Sequence, residues 1–324
     1  MNLSHIASER GSQVKIASTY RRLQRFFQHV AAPDDWAARL IVALLGVRGP
    51  WLLCLDRTNW QVGVRHVNIL VLAQVDAPPP GAADVEPDGW AGQFPNRRAR
   101  SALMKRYLAI FGAGSVEMLL ADREFIGDEW LRFLKKNNIP FPIRLKANMV
   151  VIAEGGQRLR LSTLLQKTRS ARSFTAALPG RKGEEPLTLG FAAKRLKGGE
   201  LLIVAASRDA HHALTLYRKR WSIECLFADA KTRGLNLEDT RITSPRKLAL
   251  LMAIIAIAMA WSSKIGTAVI GRAKQPRKAH GYAAKSWFHI GFDALRNRLR
   301  HDPGNAMRPW MDMPALSRKS RRVV

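Results

Sequence analysis

The chain is organised around the stretch Tyr217-Arg-Lys-Arg-Trp-Ser-Ile-Glu-Cys-Leu-Phe-Ala-Asp-Ala-Lys231. It reads as a helix, with Asp209 upstream as the N-cap and Gly234 downstream as the stop. At about 100° per residue, Tyr217, Arg220, Glu224 and Lys231 fall within about 60° of one another. Leu216, Ile223 and Phe227 form an apolar stripe beside them. A surface helix usually sets its charges opposite its apolar stripe. Here a Tyr, an Arg, a Glu and a Lys line its margin, which suits an acid held rigidly at the lip of a cleft with cations around it. A solvated face with an i,i+4 Arg220–Glu224 pair, worth about 0.2–0.5 kcal/mol, would carry the same residues. The rest of the chain decides between the two.

The charge balance points to a partner. Among 324 residues, 53 Lys and Arg stand against 25 Asp and Glu, a net charge of +28. Like charges oppose the compact state, so the excess implies a polyanion, with nucleic acid ahead of a membrane surface. The longest apolar run, Leu248 to Trp261, falls short of the roughly 20 residues that span a bilayer and reads as a buried helix. Residues 1–30 carry no apolar leader, so an intracellular protein is expected. Cys54 and Cys225 read as small buried residues rather than a disulfide or metal pair.

From the N-terminus, residues 12–30 predict an amphipathic helix carrying Arg21, Arg22 and Arg25, and a second helix runs from Pro33-Asp34-Asp35 to Gly46. The pair serves either as a small DNA-contacting module or as packing on the core. The pattern changes at Gly49. Trp51-Leu-Leu-Cys-Leu55 is a strand closed by Asp56, and Val67–Val75 is a second, with Gln61–Val64 as a strand between them. Such short connections predict an antiparallel meander. Residues 76–97, with Pro78-Pro79-Pro80-Gly81, read as a surface loop, and residues 98–112 as a basic helix. Val116–Ala121 is another strand closed by an acid, Asp122. A helix over 127–138 and a strand over 140–146 follow.

Residues 147–207 hold short apolar runs punctuated by Gly155-Gly156, Pro179-Gly180 and Gly198-Gly199. They predict an antiparallel β-rich insert between the second acid and the helix bearing Glu224. Lys247–Lys264 is the buried helix, and from Gly271 the chain reads as basic and irregular. That region contains Arg272, Lys274, Arg277 and Lys278, then Arg296, Arg298 and Arg300, and ends in an Arg318–Arg322 tail suited to nonspecific phosphate contacts.

Asp56, Asp122 and Glu224 thus come from three separate segments. Carboxylates gathered together repel unless something neutralises them, and hard oxygen ligands select Mg²⁺ or Mn²⁺. Two such ions about 3.5–4 Å apart serve phosphoryl transfer by activating the attacking oxygen and stabilising the leaving one. Asp56 would bridge both ions, with Asp122 on one and Glu224 on the other. Tyr217, Arg220 and Lys231 would hold phosphates beside the scissile bond.

The spacing Tyr217-x2-Arg220-x3-Glu224-x6-Lys231 resembles the signature of DDE transposases of the insertion-sequence-four family. Asp56-Arg-Thr58-Asn-Trp60 resembles the segment around that family's first acid, and Ala121-Asp122-Arg-Glu-Phe125 the segment around its second. The resemblance covers roughly residues 49–266. It implies an α/β fold, a ribonuclease-H-like mixed sheet flanked by helices, with a β-rich insertion before the last catalytic helix and a small helical N-terminal region. The expected divisions are 1–48 helical, 49–146 and 208–266 catalytic core, 147–207 insertion and 267–324 basic C-terminal region. It also implies cut-and-paste transposition of an insertion sequence in the bacterial cytoplasm. A dimer would cleave in trans on paired terminal inverted repeats and join them to target DNA. Hairpin-forming relatives stack a flipped base on a Trp in the insert. This insert has none, leaving Phe174 or Phe191 for that role, while Trp221 matches an aromatic that some relatives place after the Arg. Two other readings are a ribonuclease-H-like nuclease that cuts without joining, and an inactive or domesticated DNA-binding relative.

Overall fold

Apolar residues at every position of Trp51–Leu55 require burial on both faces. In the computed structural model this run lies inside a ten-stranded sheet. The structure describes residues 2–9, 13–31, 35–75, 81–87, 97–181, 183–231, 234–271 and 285–313. The proposed Pro33-Asp34 helix start, the Pro78-Pro79-Pro80 segment, Arg272, Lys274, Arg277, Lys278 and the Arg318–Arg322 tail lie outside them.

Helices α1 (Leu3–Ser8), α2 (Ile16–His29) and α3 (Trp36–Leu45) come first, followed by strands β1 (Trp51–Val62), β2 (Arg65–Gln74) and β3 (Gly81–Pro87). Next are α4 (Arg97–Phe111), β4 (Val116–Ala121), α5 (Asp128–Lys136) and β5 (Pro142–Arg144). Five further strands follow: β6 (Val150–Ile152), β7 (Arg158–Arg160), β8 (Arg172–Leu178), β9 (Leu187–Arg195) and β10 (Leu201–Ala206), with α6 (Leu161–Leu164) after β7. The chain then forms α7 (Ala213–Arg218), α8 (Trp221–Ala230), α9 (Pro245–Ile270), α10 (Trp287–His301) and α11 (Pro303–Met311).

The strand order is β3-β2-β1-β4-β5-β10-β9-β8-β6-β7. β1, β2 and β3 pair antiparallel, whereas β1–β4 and β4–β5 are parallel. This is a large mixed sheet with helices on both faces, compatible with the ribonuclease-H-like expectation. β6–β10 extend the same sheet, because β10 pairs antiparallel with β5. Odd residues of β1 (Trp51, Leu53, Leu55) pack with Leu103 and Tyr107 of α4 and with Trp130 and Leu134 of α5. Even residues (Leu52, Cys54, Trp60) pack with Ile41 of α3, Ile223 and Leu226 of α8, and Ile255 of α9. By the period of two, Asp56 belongs to this second face.

Four expectations change. No separate strand follows β1, which runs on through Asp56 to Val62 because β2 pairs along its length to the turn at Gly63 (φ +61). The stretch read as a loop contains β3, whose backbone satisfies the edge of β2. A further short helix, α1, precedes the predicted ones. The region read as irregular after Gly271 contains α10 and α11. Its Arg density masked a buried stripe at i, i+3 and i+7: Phe288, Gly291 and Leu295. For the N-terminal helices, Phe27, Ile41 and Leu44 join the core, while Arg21, Arg22 and Arg25 remain exposed.

α9 is long and apolar enough to cross a membrane by length and composition, yet 61% of its most apolar window is buried within the fold. α9 and α10 approach so closely that a Cβ on Gly291 would overlap the Ser262 carbonyl oxygen and lie 2.6 Å from the Gly266 amide nitrogen. Gly291→Ala is therefore expected to lower stability by about 3 kcal/mol, at the upper end of ordinary overpacking because backbone atoms must shift. A thermal melt indistinguishable from wild type would refute this.

Candidate active site

The last parallel pair between β1 and β4 joins Leu55 to Ala121. The next residue on each chain is an acid, so Asp56 and Asp122 emerge side by side where β1 and β4 part. Asp56 does not end its strand as the sequence suggested. β1 continues along β2, and only its pairing with β4 stops there.

The helix that should carry the third acid is not continuous. Asp209 takes a left-handed conformation (φ +52) and makes no side-chain cap. α7 ends at Arg218 and α8 begins at Trp221. Between them the hydrogen bonds tighten to i→i+3: Lys219 to Leu216, Arg220 to Tyr217, Ser222 to Lys219 and Ile223 to Arg220. α7 buries Ala213 and Tyr217 on Val204 of β10 and Ala192 of β9, while α8 buries Ile223 and Leu226 on the β1 side. The tight turn therefore crosses the sheet near the two aspartates. α8 ends before Gly234, and a Cβ there would press on the Phe288 ring and the Asp229 carbonyl oxygen.

Tyr217, Arg220 and Glu224 converge on the aspartates. The Tyr217 hydroxyl donates to Asp122 Oδ1 at 2.8 Å. Arg220 Nη1 donates to Asp56 Oδ2 at 3.0 Å, and its Nη2 donates to Glu224 Oε1. The guanidinium also lies 5.7 Å from the centre of the Tyr217 ring. Arg220 is thus the shared cation of the acidic cluster, and its side chain is only 14% exposed.

Burial pushes the Asp56 carboxyl above its ordinary range. The Arg57 amide and Arg220 oppose that shift, and the charges of Asp122 and Glu224 add to it. For Asp122, burial also acts upward, but the Arg123 amide, the Tyr217 hydroxyl and Arg220 outweigh it and hold the group below its usual range. Burial, then the Asp122 charge, raises the Tyr217 phenol, so it stays protonated and can donate. Arg220 is held more firmly protonated than usual: burial works against its charge, but Tyr217, Glu224 and Asp56 outweigh that effect.

Lys231 lies apart from this cluster. Its Nζ donates to the Asn59 carbonyl at 2.6 Å and pairs with Glu238 at 3.0 Å, tying the end of α8 to β1. Trp221 is 64% exposed beside Arg220, so it is not a packing residue. Phe191 is fully buried and stacks on Phe174 at 5.2 Å, leaving no open face for a base. The Phe174 ring also carries Arg172 at 5.2 Å. Neither Cys54 nor Cys225 is in a disulfide; the first is buried and the second half-buried.

One pair was missed by the sequence reading. Arg57 Nε meets Glu124 at 2.8 Å, joining the segment after the first Asp to the segment after the second. The available signal was position: Arg57 directly follows Asp56, and Glu124 is two residues past Asp122.

Among the described residues no group of three or more His, Cys, Asp or Glu is gathered tightly enough to hold a metal ion. The carboxylates nevertheless share one cation, Arg220, and present only oxygen donors. That chemistry fits a hard divalent ion taking over the place of the guanidinium.

Residues 95–261 match the family model described as "Transposase DDE domain". No curated protein matches the chain.

Proposed function

The chain belongs to the transposases with a DDE domain, and on that premise we propose that it cuts the ends of an insertion sequence and joins them to target DNA, as a member of the insertion-sequence-four group. The observation that carries this reading is the register at Leu55–Ala121. It sets Asp56 beside Asp122, and Arg220 ties Glu224 to the same place.

DDE transposases use divalent metals, and here Asp56, Asp122 and Glu224 would hold two Mg²⁺ or Mn²⁺ ions. Bound ions supply the charge that activates an attacking oxygen and stabilises the leaving one. The remaining steps belong to the protein. Tyr217 fixes the rotamer of Asp122 through its donated hydrogen bond. Arg220 holds the Asp56 and Glu224 carboxylates together, and its planar fork is the kind of donor that would suit a DNA phosphate beside them. Lys231 anchors α8 to β1 and so sets the depth of Glu224. The partners would be terminal inverted repeats and target DNA, with a homodimer acting on paired ends.

Trp221 offers an exposed aromatic ring next to Arg220 in this cluster, and base–aromatic stacking is worth about 1–3 kcal/mol. Trp221→Ala is expected to weaken binding of a nicked or frayed end by about tenfold while leaving the melting temperature nearly unchanged. Equal affinity for frayed DNA would remove Trp221 from the DNA surface.

The reading is tested with labelled duplexes carrying the element ends, Mg²⁺ or Mn²⁺, and a supercoiled target. End cleavage followed by a joined product is expected. Cleavage with no joined product would leave a nuclease. Binding with no metal-dependent cleavage would leave a DNA-binding relative.

A further inference from the structure

A second site, this one basic, lies at the other end of the α9 face. The ends of α3 and α9, together with α10 and α11, enclose a cleft of about 470 Å³. Lys264, Arg298 and Arg308 line it, against one acid, Asp312. Asp312 lies 3.7 Å from Arg308 in an exposed i,i+4 pair. Lys264 Nζ donates to the Leu45 carbonyl at 3.0 Å and has no acidic partner among the described residues. Arg298 is half-buried and its side chain makes no hydrogen bond or ion pair among them, whereas its neighbours are engaged: Arg296 lies over Phe292 and Arg300 pairs with Glu9. The walls between the cations are apolar, from Leu44, Ile265 and Met313.

Three cations against one acid line this partly enclosed cleft, and an anion with several acceptor oxygens offsets the excess positive charge. A phosphodiester meets the need, since its oxygens accept from Arg and Lys and its sugar can lie on the apolar walls. The spacing suits DNA. Ile255 of α9 lines a small cavity with Thr58, two residues past Asp56. Lys264 is nine residues beyond Ile255 along α9, about 13.5 Å at 1.5 Å per residue. That is about four base pairs of duplex at roughly 3.4 Å each. We propose that this cleft takes a backbone phosphate of the duplex whose scissile bond lies at Asp56, Asp122 and Glu224. The inference rests on the DNA-acting function proposed above.

The test measures DNA affinity of the full chain against salt, for an end-bearing duplex, by fluorescence anisotropy. Each lost phosphate contact should flatten the slope of log K against log salt by about 0.9. Arg298→Gln and Arg308→Gln are each expected to show that change, while Lys136→Gln, on the opposite face of the sheet, leaves the slope unaltered. The Arg298 side chain makes no hydrogen bond or ion pair among the described residues, so its variant should melt close to wild type. Wild-type slopes in both cleft variants, beside steep salt dependence in wild type, would overturn the proposal. If wild type itself shows no salt-dependent DNA binding, the DNA-acting function fails first. Inorganic phosphate separates the two sources of this ligand. If millimolar phosphate stabilises wild type but not Arg298→Gln, and the DNA slopes are equal, the cleft binds free anions and the DNA assignment is wrong.

Discussion

Glu224→Gln is expected to abolish metal-dependent DNA cleavage while leaving DNA binding nearly intact. Gln keeps the length of the side chain and can still accept from Arg220, so α8 should stay where Ile223 and Leu226 hold it. The substitution removes one of the three charges that would hold the ions. A metal's stabilisation of the transition state is worth several kcal/mol, and at about 1.4 kcal/mol per tenfold its loss corresponds to roughly 10³-fold or more in rate. Cleavage of a labelled end duplex and anisotropy on the same protein preparation measure both quantities. A variant retaining a tenth of wild-type cleavage would remove Glu224 from the metal site. Parallel loss of binding and cleavage would instead show that Glu224 acts through the fold.

Arg220→Ala should have its largest effect without metal. Asp56, with a side chain 13% exposed, would lose its cation. Breaking a buried pair by removing one partner costs about 3–5 kcal/mol. Glu224 is about a third exposed and water can take over part of its charge, so about 1–3 kcal/mol is expected here. At this chain length that lowers the melting temperature by several degrees. Added Mg²⁺ or Mn²⁺ should then raise the melting temperature of the variant more than that of wild type, because the ion no longer competes with a guanidinium for the same oxygens. Equal metal-induced shifts in the two proteins would refute Arg220 as the metal-free counter-ion. Arg220→Lys restores the charge but not the two-ended fork that reaches Asp56 and Glu224 together, so it should recover only part of the loss.

Much of this site is written locally. The apolar runs before Asp56 and Asp122, the i,i+3 and i,i+7 placement of Arg220 and Glu224 from Tyr217, and the net charge of +28 are properties of short segments and of composition. Period and charge need no tertiary context, so the sequence alone determined the three acid-bearing segments, a mixed sheet with helices and a polyanionic partner. Distances between segments depend on register and on which faces pack, and these are set by contacts across the whole chain. Only the tertiary structure decided that Leu55 pairs with Ala121, so that the two aspartates emerge together. It also decided that Arg220 faces carboxylates and that Lys231 reaches Asn59 and Glu238. Phe191 is alternately placed like any strand residue, and its burial follows from the α-helical and β layers that close over that face. The arginines of α10 look alike in sequence, yet packing on α9 engages Arg296 and Arg300 elsewhere and turns Arg298 into a cleft. Local chemistry chose the residues, and long-range packing chose their neighbours.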